Sequence, residues 1–135
     1  MSGLLSDVTS IALEKALNVA GERHRVISNN IANVNTPNFK RSYVDFEVEL
    51  KKTLGKGNQI KLRRTNPRHL GTGSIAAVEP LVKKDHYSTM RADGNNVDID
   101  LENTELAINT IMYNTVATRL NQKLGQLRYV INGGR

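Results

Sequence analysis

Residues 28–38 read SNNIANVNTPN, and this asparagine-rich stretch decides how the fold is interpreted. Asparagine is a poor helix former, so helix propensity does not explain five asparagines in eleven residues. Beside a packed apolar seam, an amide that both donates and accepts hydrogen bonds fixes the register of two helices. We therefore expect Asn29, Asn30 and Asn33 to set helix register. The alternative, a helix end that frays into a loop, accounts only for the last two asparagines.

The sequence before this stretch predicts a long amphipathic helix over residues 8–35. Its apolar residues recur at alternating intervals of four and three, the spacing of a heptad seam. Ser6 or Asp7 can cap its start, and Pro37 ends it because the residue before a proline avoids helical geometry. Thr36 and Pro37 are expected to turn the chain out of the helix. The seam consists of Leu13, Leu17, Ala20, His24, Ile27, Ile31 and Val34.

A second long helix is predicted at the C-terminus, starting after a cap at Asp98 or Asp100 and ending at Gly133-Gly134. Glu102 and these two aspartates are interpreted as first-turn charges that the helix dipole favours. The apolar residues of this helix are Leu101, Ile108, Met112, Tyr113, Val116, Leu120, Leu124, Leu127 and Ile131. The residues expected to carry packing within and between subunits are Ile27, Ile31, Val34, Leu120, Leu124 and Leu127.

Composition divides the chain into an N-terminal helix with the asparagine-rich stretch (1–39), a basic, turn-rich middle with short strands (40–97) and a C-terminal helix (98–135). The middle carries the positive charge, since residues 40–91 hold twelve basic and five acidic side chains. Glycines and prolines interrupt this segment. Its pattern predicts strands at 59–64 and 75–82, and either a strand or a short helix over 43–53.

The predicted fold is mainly α. Two long terminal helices pack as an antiparallel coiled-coil-like hairpin, and a small irregular middle contains short β-strands. A two-helix hairpin is a poor core, because most of each helix stays in contact with water. Apolar residues outside the seam, such as Val8, Ile11, Val19 and Val26, are therefore expected to be covered by neighbouring subunits. The alternative is a hairpin that packs on a small β-domain of its own chain.

Composition excludes several classes of protein. The chain has no cysteine, which excludes disulfides, thiolate metal sites and a cysteine nucleophile. No apolar run approaches the roughly 18 residues that span a bilayer, and charges within the first 30 positions leave no apolar signal-peptide core. His24, His69 and His86 are not spaced as metal ligands on one element, and nucleophile and phosphate-loop motifs are missing. We expect neither an enzyme nor a cofactor.

The strongest alternative function is that of a small basic helical protein that binds nucleic acid. Its basic side chains would track phosphates, but only Tyr43 and Tyr87 accompany them, and the sequence lacks a helix-turn-helix or RNA-binding signature. A solvated basic face is the more common explanation, so nucleic acid is not the partner we expect. The charges concerned are Lys61, Arg63, Arg64, Arg68, Lys83 and Lys84.

Residues 28–41 resemble the N-terminal signature of bacterial flagellar rod and hook proteins. That signature is an Asn-Asn-Ile-Ala-Asn core followed by Thr-Pro-Gly-Tyr/Phe-Lys. The corresponding turn of this chain consists of Thr36, Pro37, Asn38 and Phe39, with Asn38 where the family usually has glycine. Asparagine tolerates a positive φ best after glycine, so we expect the turn to be kept.

A second stretch resembles the signature that precedes the C-terminal helix of short rod proteins. It consists of Gly94, Asn95, Asn96, Val97 and Asp98, followed by a helix with Glu102, Asn109 and Tyr113. Hook and distal-rod proteins carry larger central domains, whereas a length of 135 residues suits the smallest proximal-rod subunits. The resemblance therefore covers both helices, and within the family it favours the short proximal-rod proteins.

The resemblance implies a structural subunit of the proximal rod that polymerises through its terminal helices. It implies export by the flagellar type III system without a cleaved signal peptide, and a place in the periplasmic rod of the basal body. The implied partners are other rod subunits, the membrane-ring and export-gate adaptor at the rod base, and the export gate. Phe46 and Leu50 resemble the Phe-x-x-x-hydrophobic element that docks early rod and hook subunits at that gate. The alternative is a local packing pair.

Overall fold

A computed structural model describes residues 8–48, residue 51 and residues 78–133. Within these residues the chain forms two long helices and one two-stranded antiparallel sheet. The mainly α fold predicted from the sequence is confirmed. The predicted strand at 59–64 lies outside the described residues. In chain order, the elements are α1 (Val8–Ala32), β1 (Ser42–Asp45), β2 (Leu81–Lys84) and α2 (Ile99–Ile131).

Helix α1 ends at Ala32, three residues earlier than the apolar pattern predicts. The backbone tightens there, because the Val34 N–H donates to the Ile31 carbonyl (3.2 Å) and the Thr36 N–H donates to the Asn33 carbonyl (3.0 Å). Such three-residue hydrogen bonds satisfy the last carbonyls of a helix while turning the chain away from its axis. The asparagine-rich stretch therefore covers both the end of α1 and the turn that follows.

Helix α2 begins where the sequence predicts. Asp98 is its N-cap: a carboxylate oxygen accepts hydrogen bonds from the N–H groups of Asp100 (3.0 Å) and Leu101 (3.3 Å). These bonds satisfy donors that a helix start otherwise leaves unpaired. Asn132 is the C-cap, and Gly133 follows with φ of 68°, a left-handed conformation that glycine adopts without strain.

Two contacts show that α1 and α2 run antiparallel. The Asn109 side chain reaches the carbonyl of Ala20, and the Glu102 side chain reaches Asn30. Contacts therefore move backward along α2 as they move forward along α1. This confirms the predicted hairpin of terminal helices. With 33 residues against 25, α2 is about 12 Å longer than α1, at about 1.5 Å per residue.

The sheet lies against the middle of α1. Ser42 pairs with Lys84 and Val44 pairs with Val82, in an antiparallel register. Strand β1 falls at the start of the region predicted as strand or helix, and residues 47, 48 and 51 are helical, so both structures occur there. Residues 75–77 of the strand predicted over 75–82 lie outside the described residues. Residues 78–80 are not strand, and β2 overlaps the last two predicted positions.

The apolar core joins α1 to the middle segment of the same chain. It consists of Val19, Val26, Val44, Phe46 and Val78. We expected neighbouring subunits to cover Val19 and Val26. That expectation is wrong, because β1 and the residues around it cover these side chains within the chain. The hairpin thus packs on a small β-structure of its own chain, which was the alternative interpretation.

The predicted seam of α1 is only partly buried within the chain. Ala20 and Ile27 are buried, and Ile31 and Val34 are half-buried. His24, the seam residue between Ala20 and Ile27, is exposed and borders an open groove with Tyr113. The chain therefore buries two seam residues and leaves the seam open at His24.

Candidate functional site

The most deeply buried side chains of the described residues are polar, and they lie where the two sequence motifs meet. Asn30, Asn95 and Glu102 have no exposed surface, and Asn96 is only 2% exposed. Together with Arg41 they form a cluster that we call the polar junction. Burial of polar groups is unfavourable unless each one finds a hydrogen-bond partner. Their bonds therefore decide what the cluster does.

Asn30 connects three elements. Its side-chain N–H₂ donates to the Ser42 carbonyl (2.8 Å) and to a carboxylate oxygen of Glu102 (3.1 Å). Its side-chain oxygen accepts a hydrogen bond from the Ser42 N–H (3.0 Å). The amide thus pairs with the first residue of β1 as a neighbouring strand would, and it also holds the first turn of α2. Asn30 therefore contacts both β1 and α2, and the register role predicted for it stays a prediction.

Arg41 supplies the positive charge of the junction. Its guanidinium donates to the carboxylates of Glu102 and Glu105, the second at 2.7 Å. Burial alone would lower the pKa of Arg41, but hydrogen bonds and attraction from the two carboxylates raise it above its ordinary value. Arg41 therefore stays charged. Glu102 is a first-turn charge of α2, as the sequence predicts, and it is also the buried partner of this ion pair.

Asn95 closes the C-terminal end of α1. Its side-chain N–H₂ lies 3.0 Å from the carbonyl oxygens of Asn33 and Val34, and 2.9 Å from that of Thr36. Its side-chain oxygen accepts a hydrogen bond from the Val97 N–H (2.7 Å). One residue of the C-terminal motif thus satisfies three carbonyls of the N-terminal motif. Each of these carbonyls also accepts a second hydrogen bond, from the Thr36 N–H, the Arg91 guanidinium and the Phe39 N–H in that order.

Asn96 fixes the segment between the sheet and α2. Its side-chain oxygen accepts a hydrogen bond from the Arg41 N–H (2.6 Å). Its N–H₂ donates to the Asp85 carbonyl (3.0 Å) and to the Ser88 hydroxyl oxygen (2.8 Å). The Ser88 hydroxyl and two backbone N–H groups bond to the Asp85 carboxylate and hold its pKa below the usual range.

The turns of the two motifs also touch. The Asn38 N–H donates to the Asp93 carbonyl (2.9 Å), and both Asn38 (φ 59°) and Gly94 (φ 79°) have positive φ angles. A Cβ atom at Gly94 would lie 2.6 Å from the side-chain oxygen of Asn38, so a glycine is needed at this approach. The structure thus confirms the turn expected at Asn38.

The remaining motif residues lie at the edge of the junction. Asn29 is exposed, and its carbonyl accepts a hydrogen bond from the side chain of half-buried Asn33 (2.8 Å). The Thr36 hydroxyl donates to the Asn33 side-chain oxygen (3.2 Å), and the Phe39 N–H donates to the Thr36 carbonyl (3.3 Å). Pro37 is exposed in the turn, whereas Val97 is buried before the Asp98 cap.

Beyond Asn109, helix α2 buries none of its described residues. We call residues 110–131 the distal part of α2. Of the predicted packing residues, Leu120 and Leu127 are half-buried and Leu124 is 38% exposed, so their own chain covers them only in part. The other exposed apolar residues of this part are Ile111, Met112, Tyr113, Tyr129, Val130 and Ile131.

Of the predicted docking element, Phe46 and Leu50, only Phe46 lies within the described residues. Phe46 is 6% exposed and belongs to the apolar core, in line with the packing alternative. Leu50 lies outside the described residues. The folded subunit therefore offers little of the Phe46 ring to a partner.

Sequence reasoning placed Arg41, Glu102 and Asn109 inside the motifs but assigned them no partners. Opposite charges could have indicated the pair, since Glu102 lies in the first turn of α2 and Arg41 is the last residue of the N-terminal motif. The partners are 61 residues apart in sequence, and only the antiparallel hairpin brings them together.

In the described part of the chain, no group of side chains could hold a metal ion. None of the helices described here is long and apolar enough to cross a membrane.

Known proteins are similar to this chain over most of its length. A family described as flagella basal body rod protein matches residues 11–40. The flagellar basal body rod protein FlgB of Bacillus subtilis is 38% identical over 123 residues, which cover 91% of this chain and 92% of that protein. The chain belongs to the FlgB family.

Other FlgB proteins extend the comparison. FlgB of Salmonella typhimurium is 32% identical over 127 residues, covering 90% of this chain and 91% of that protein. FlgB of Borreliella burgdorferi is 44% identical over 102 residues, covering 72% and 76%. FlgB membership confirms the resemblance to flagellar rod proteins and a structural rod subunit. It gives no support to the nucleic-acid alternative.

Proposed function

We propose that the chain is a structural subunit of the proximal rod and that it polymerises through its terminal helices, without enzymatic activity. The observation that carries this proposal is the distal part of α2, which exposes apolar residues along its length in a chain of the FlgB family. These exposed apolar side chains cluster at residues 111–113 and 124–131, and clusters of exposed apolar side chains mark a surface for association. Neighbouring rod subunits are the partners that would cover it.

The register of the two helices supports this role. Counting from the contact between Ala20 and Asn109, the start of α1 at Val8 lies opposite α2 near Asn121. Residues 122–131 therefore extend beyond the described part of α1. Val130 and Ile131 in this extension are about 70% exposed. Packing of the extension against neighbouring copies would couple assembly to stability.

The proposal includes export by the flagellar type III system without signal cleavage, a place in the periplasmic rod, and contact with the ring and gate adaptor at the rod base. Mass spectrometry of purified hook–basal bodies from the source organism tests it. We expect the chain with its N-terminus intact, at a ratio to other rod subunits that is constant between preparations. Absence of the chain from intact particles would contradict the proposal.

We propose further that Phe46 and Leu50 dock the chain at the export gate. Because Phe46 is buried in the folded subunit, docking would involve the unfolded chain during export. Val44 belongs to the same apolar core but lies outside the docking element, so it provides a matched control. We expect Phe46→Ala to accumulate in the cytoplasm while Val44→Ala is exported. Equal export of both variants would contradict docking through Phe46.

A further inference from the structure

Two residues of α2 are buried, and both are polar. Glu102 and Asn109 are seven residues apart, so they project from the same face of the helix toward α1. Glu102 bonds to the side chain of Asn30, and the Asn109 side-chain N–H₂ donates to the Ala20 carbonyl (2.9 Å). The centre of the helix pair is therefore held by two polar contacts rather than by buried apolar side chains of α2.

The contact at Asn109 carries a free-energy cost. Asn109 is 5% exposed, and no described residue donates a hydrogen bond to its side-chain oxygen. A buried acceptor without a partner destabilises the folded chain. A leucine at this position would avoid that cost, so stability of the single chain does not explain the asparagine.

The apolar residues of the two helices do not define a single register. On α1 the seam residues Leu13, Ala20 and Ile27 repeat every seven positions, and on α2 Leu106, Tyr113, Leu120 and Leu127 do the same. A slide of one heptad, about 10 Å, therefore brings equivalent residues opposite each other. Apolar packing alone would tolerate such a slide.

The polar contacts do not tolerate it. After a slide of one heptad, either Val116 or Glu102 would lie opposite the Ala20 carbonyl. Valine has no polar group, and an ionised carboxylate has no proton to donate. We propose that Asn109 is a positioning residue that selects the register of α2 on α1, in concert with Asn30 and Glu102, at a cost in the stability of the single chain.

The register has a consequence for assembly, which rests on the proposed function. A slide of one heptad would lengthen or shorten the extension of α2 beyond α1 by about 10 Å. Neighbouring subunits that bind the extension would then meet the wrong residues. The register itself is a property of the single chain and can be tested without any assembly.

The chain has no cysteine, so pairs of introduced cysteines can report the register. Gly21 and Tyr113 border the same groove, and a Cβ atom at Gly21 would meet nothing within 4 Å. Gly21→Cys with Tyr113→Cys reports the observed register. Gly21→Cys with Leu106→Cys or with Leu120→Cys reports a slide of one heptad in either direction. Each purified full-length chain is unfolded, refolded and treated with a short thiol cross-linker, and intramolecular products are quantified by mass.

With Asn109 present, we expect the 21–113 product to dominate, because a slide of one heptad breaks the contacts of both Asn109 and Glu102. In the Asn109→Leu background, we expect the slipped products to rise by roughly tenfold, the ratio that one hydrogen bond gives, while helix content by circular dichroism is kept and Glu102 still favours the observed register. Asn114→Leu is the matched control, because Asn114 is exposed on the same helix, and it should leave the ratio unchanged.

Two results would overturn the proposal. Equal yields of the three products with Asn109 present would show that the native chain has no fixed register, and this holds even if Asn109→Leu does not fold. An unchanged preference for the 21–113 product in a folded Asn109→Leu chain would show that other contacts select the register. Neither result depends on whether the chain is a rod subunit, because assembly and motility are not measured.

Discussion

The polar junction and the distal part of α2 lie on the same helix pair and differ in what they bury. At the junction, side chains with no exposed surface are charged or amides, and their hydrogen bonds join α1, β1 and α2. In the distal part, apolar side chains are exposed and nothing described is buried. Along α2, directional polar bonds therefore hold the first turns to the rest of the chain, whereas the distal part leaves apolar surface exposed.

The difference has a physical reason. A hydrogen-bonded amide accepts only partners at the right distance and angle, so the junction specifies one arrangement of its own three elements. Apolar association is proportional to the area removed from water and is largely insensitive to orientation. Had the contacts of the polar junction been apolar as well, they would have competed with neighbouring copies for the same surfaces. Variants in each region can separate the two roles.

The largest effect on the single chain is expected from Glu102→Ala. This change leaves Arg41, whose side chain is 19% exposed, with Glu105 alone, and it removes a bond to Asn30. Breaking a buried ion pair on one side costs about 3–5 kcal/mol, and we expect about 3 kcal/mol because Glu105 remains. Urea unfolding followed by circular dichroism measures the change.

Glu105→Ala is the control for that change. It removes the other carboxylate bonded to Arg41, but the Glu105 side chain is 41% exposed. Exposed ion pairs contribute about 0–1 kcal/mol, so this variant should lose at most about 1 kcal/mol. Similar losses for the two variants would contradict the buried position of Glu102 as the origin of its effect.

An intermediate effect is expected from Asn95→Ala. The change removes a donor that three carbonyls just after α1 share, and it leaves the N–H of buried Val97 without its acceptor. Leaving buried polar groups unpaired costs about 1–3 kcal/mol, so we expect a loss of about 2 kcal/mol in the free energy of unfolding. Urea unfolding of the purified chain gives the value.

Asn35→Ala tests whether an exposed asparagine near the end of α1 contributes as much to stability as Asn95 does. Asn35 is exposed in the same turn, and substitutions at such sites usually change stability by less than about 0.5 kcal/mol. A comparable loss at both asparagines would show that the amide of Asn95 has no special role in closing α1.

Much of the fold could be predicted from the sequence, because long helices leave a periodic signal. Three local features lie at the expected residues, because they follow from local chemistry: the N-cap Asp98, the glycine after the C-cap (Gly133) and the positive φ at Asn38. Strand β2 extends two residues beyond the predicted strand, because four alternating residues carry little periodic signal and pairing with β1 decides their position. Short strands depend on partners that are distant in sequence.

The site was predictable only in part. The asparagine-rich stretch was predicted to set helix register because helix propensity does not explain its composition, and the Asn30 side chain does bond to both β1 and α2. The partners of Asn95 and Arg41 could not be named, since local patterns do not show which motif carbonyl or carboxylate comes near. Burial of Val19 and Val26 was missed for the same reason: the valines that cover them lie far along the chain.

A small effect on the stability of the single chain, and the largest effect on assembly, is expected from Ile111→Asp. Ile111 is 67% exposed in the distal part of α2, so the charge should change the free energy of unfolding by at most about 1 kcal/mol, mostly through helix propensity. In a rod it would bury a carboxylate against apolar neighbours, and we expect motility in soft agar to be lost. Ile111→Val keeps the apolar surface and should remain motile. Motile cells with Ile111→Asp would contradict an interface at this residue, whereas loss of motility in a stable, exported chain separates the two regions: the junction holds the subunit together, and the distal part of α2 joins subunits.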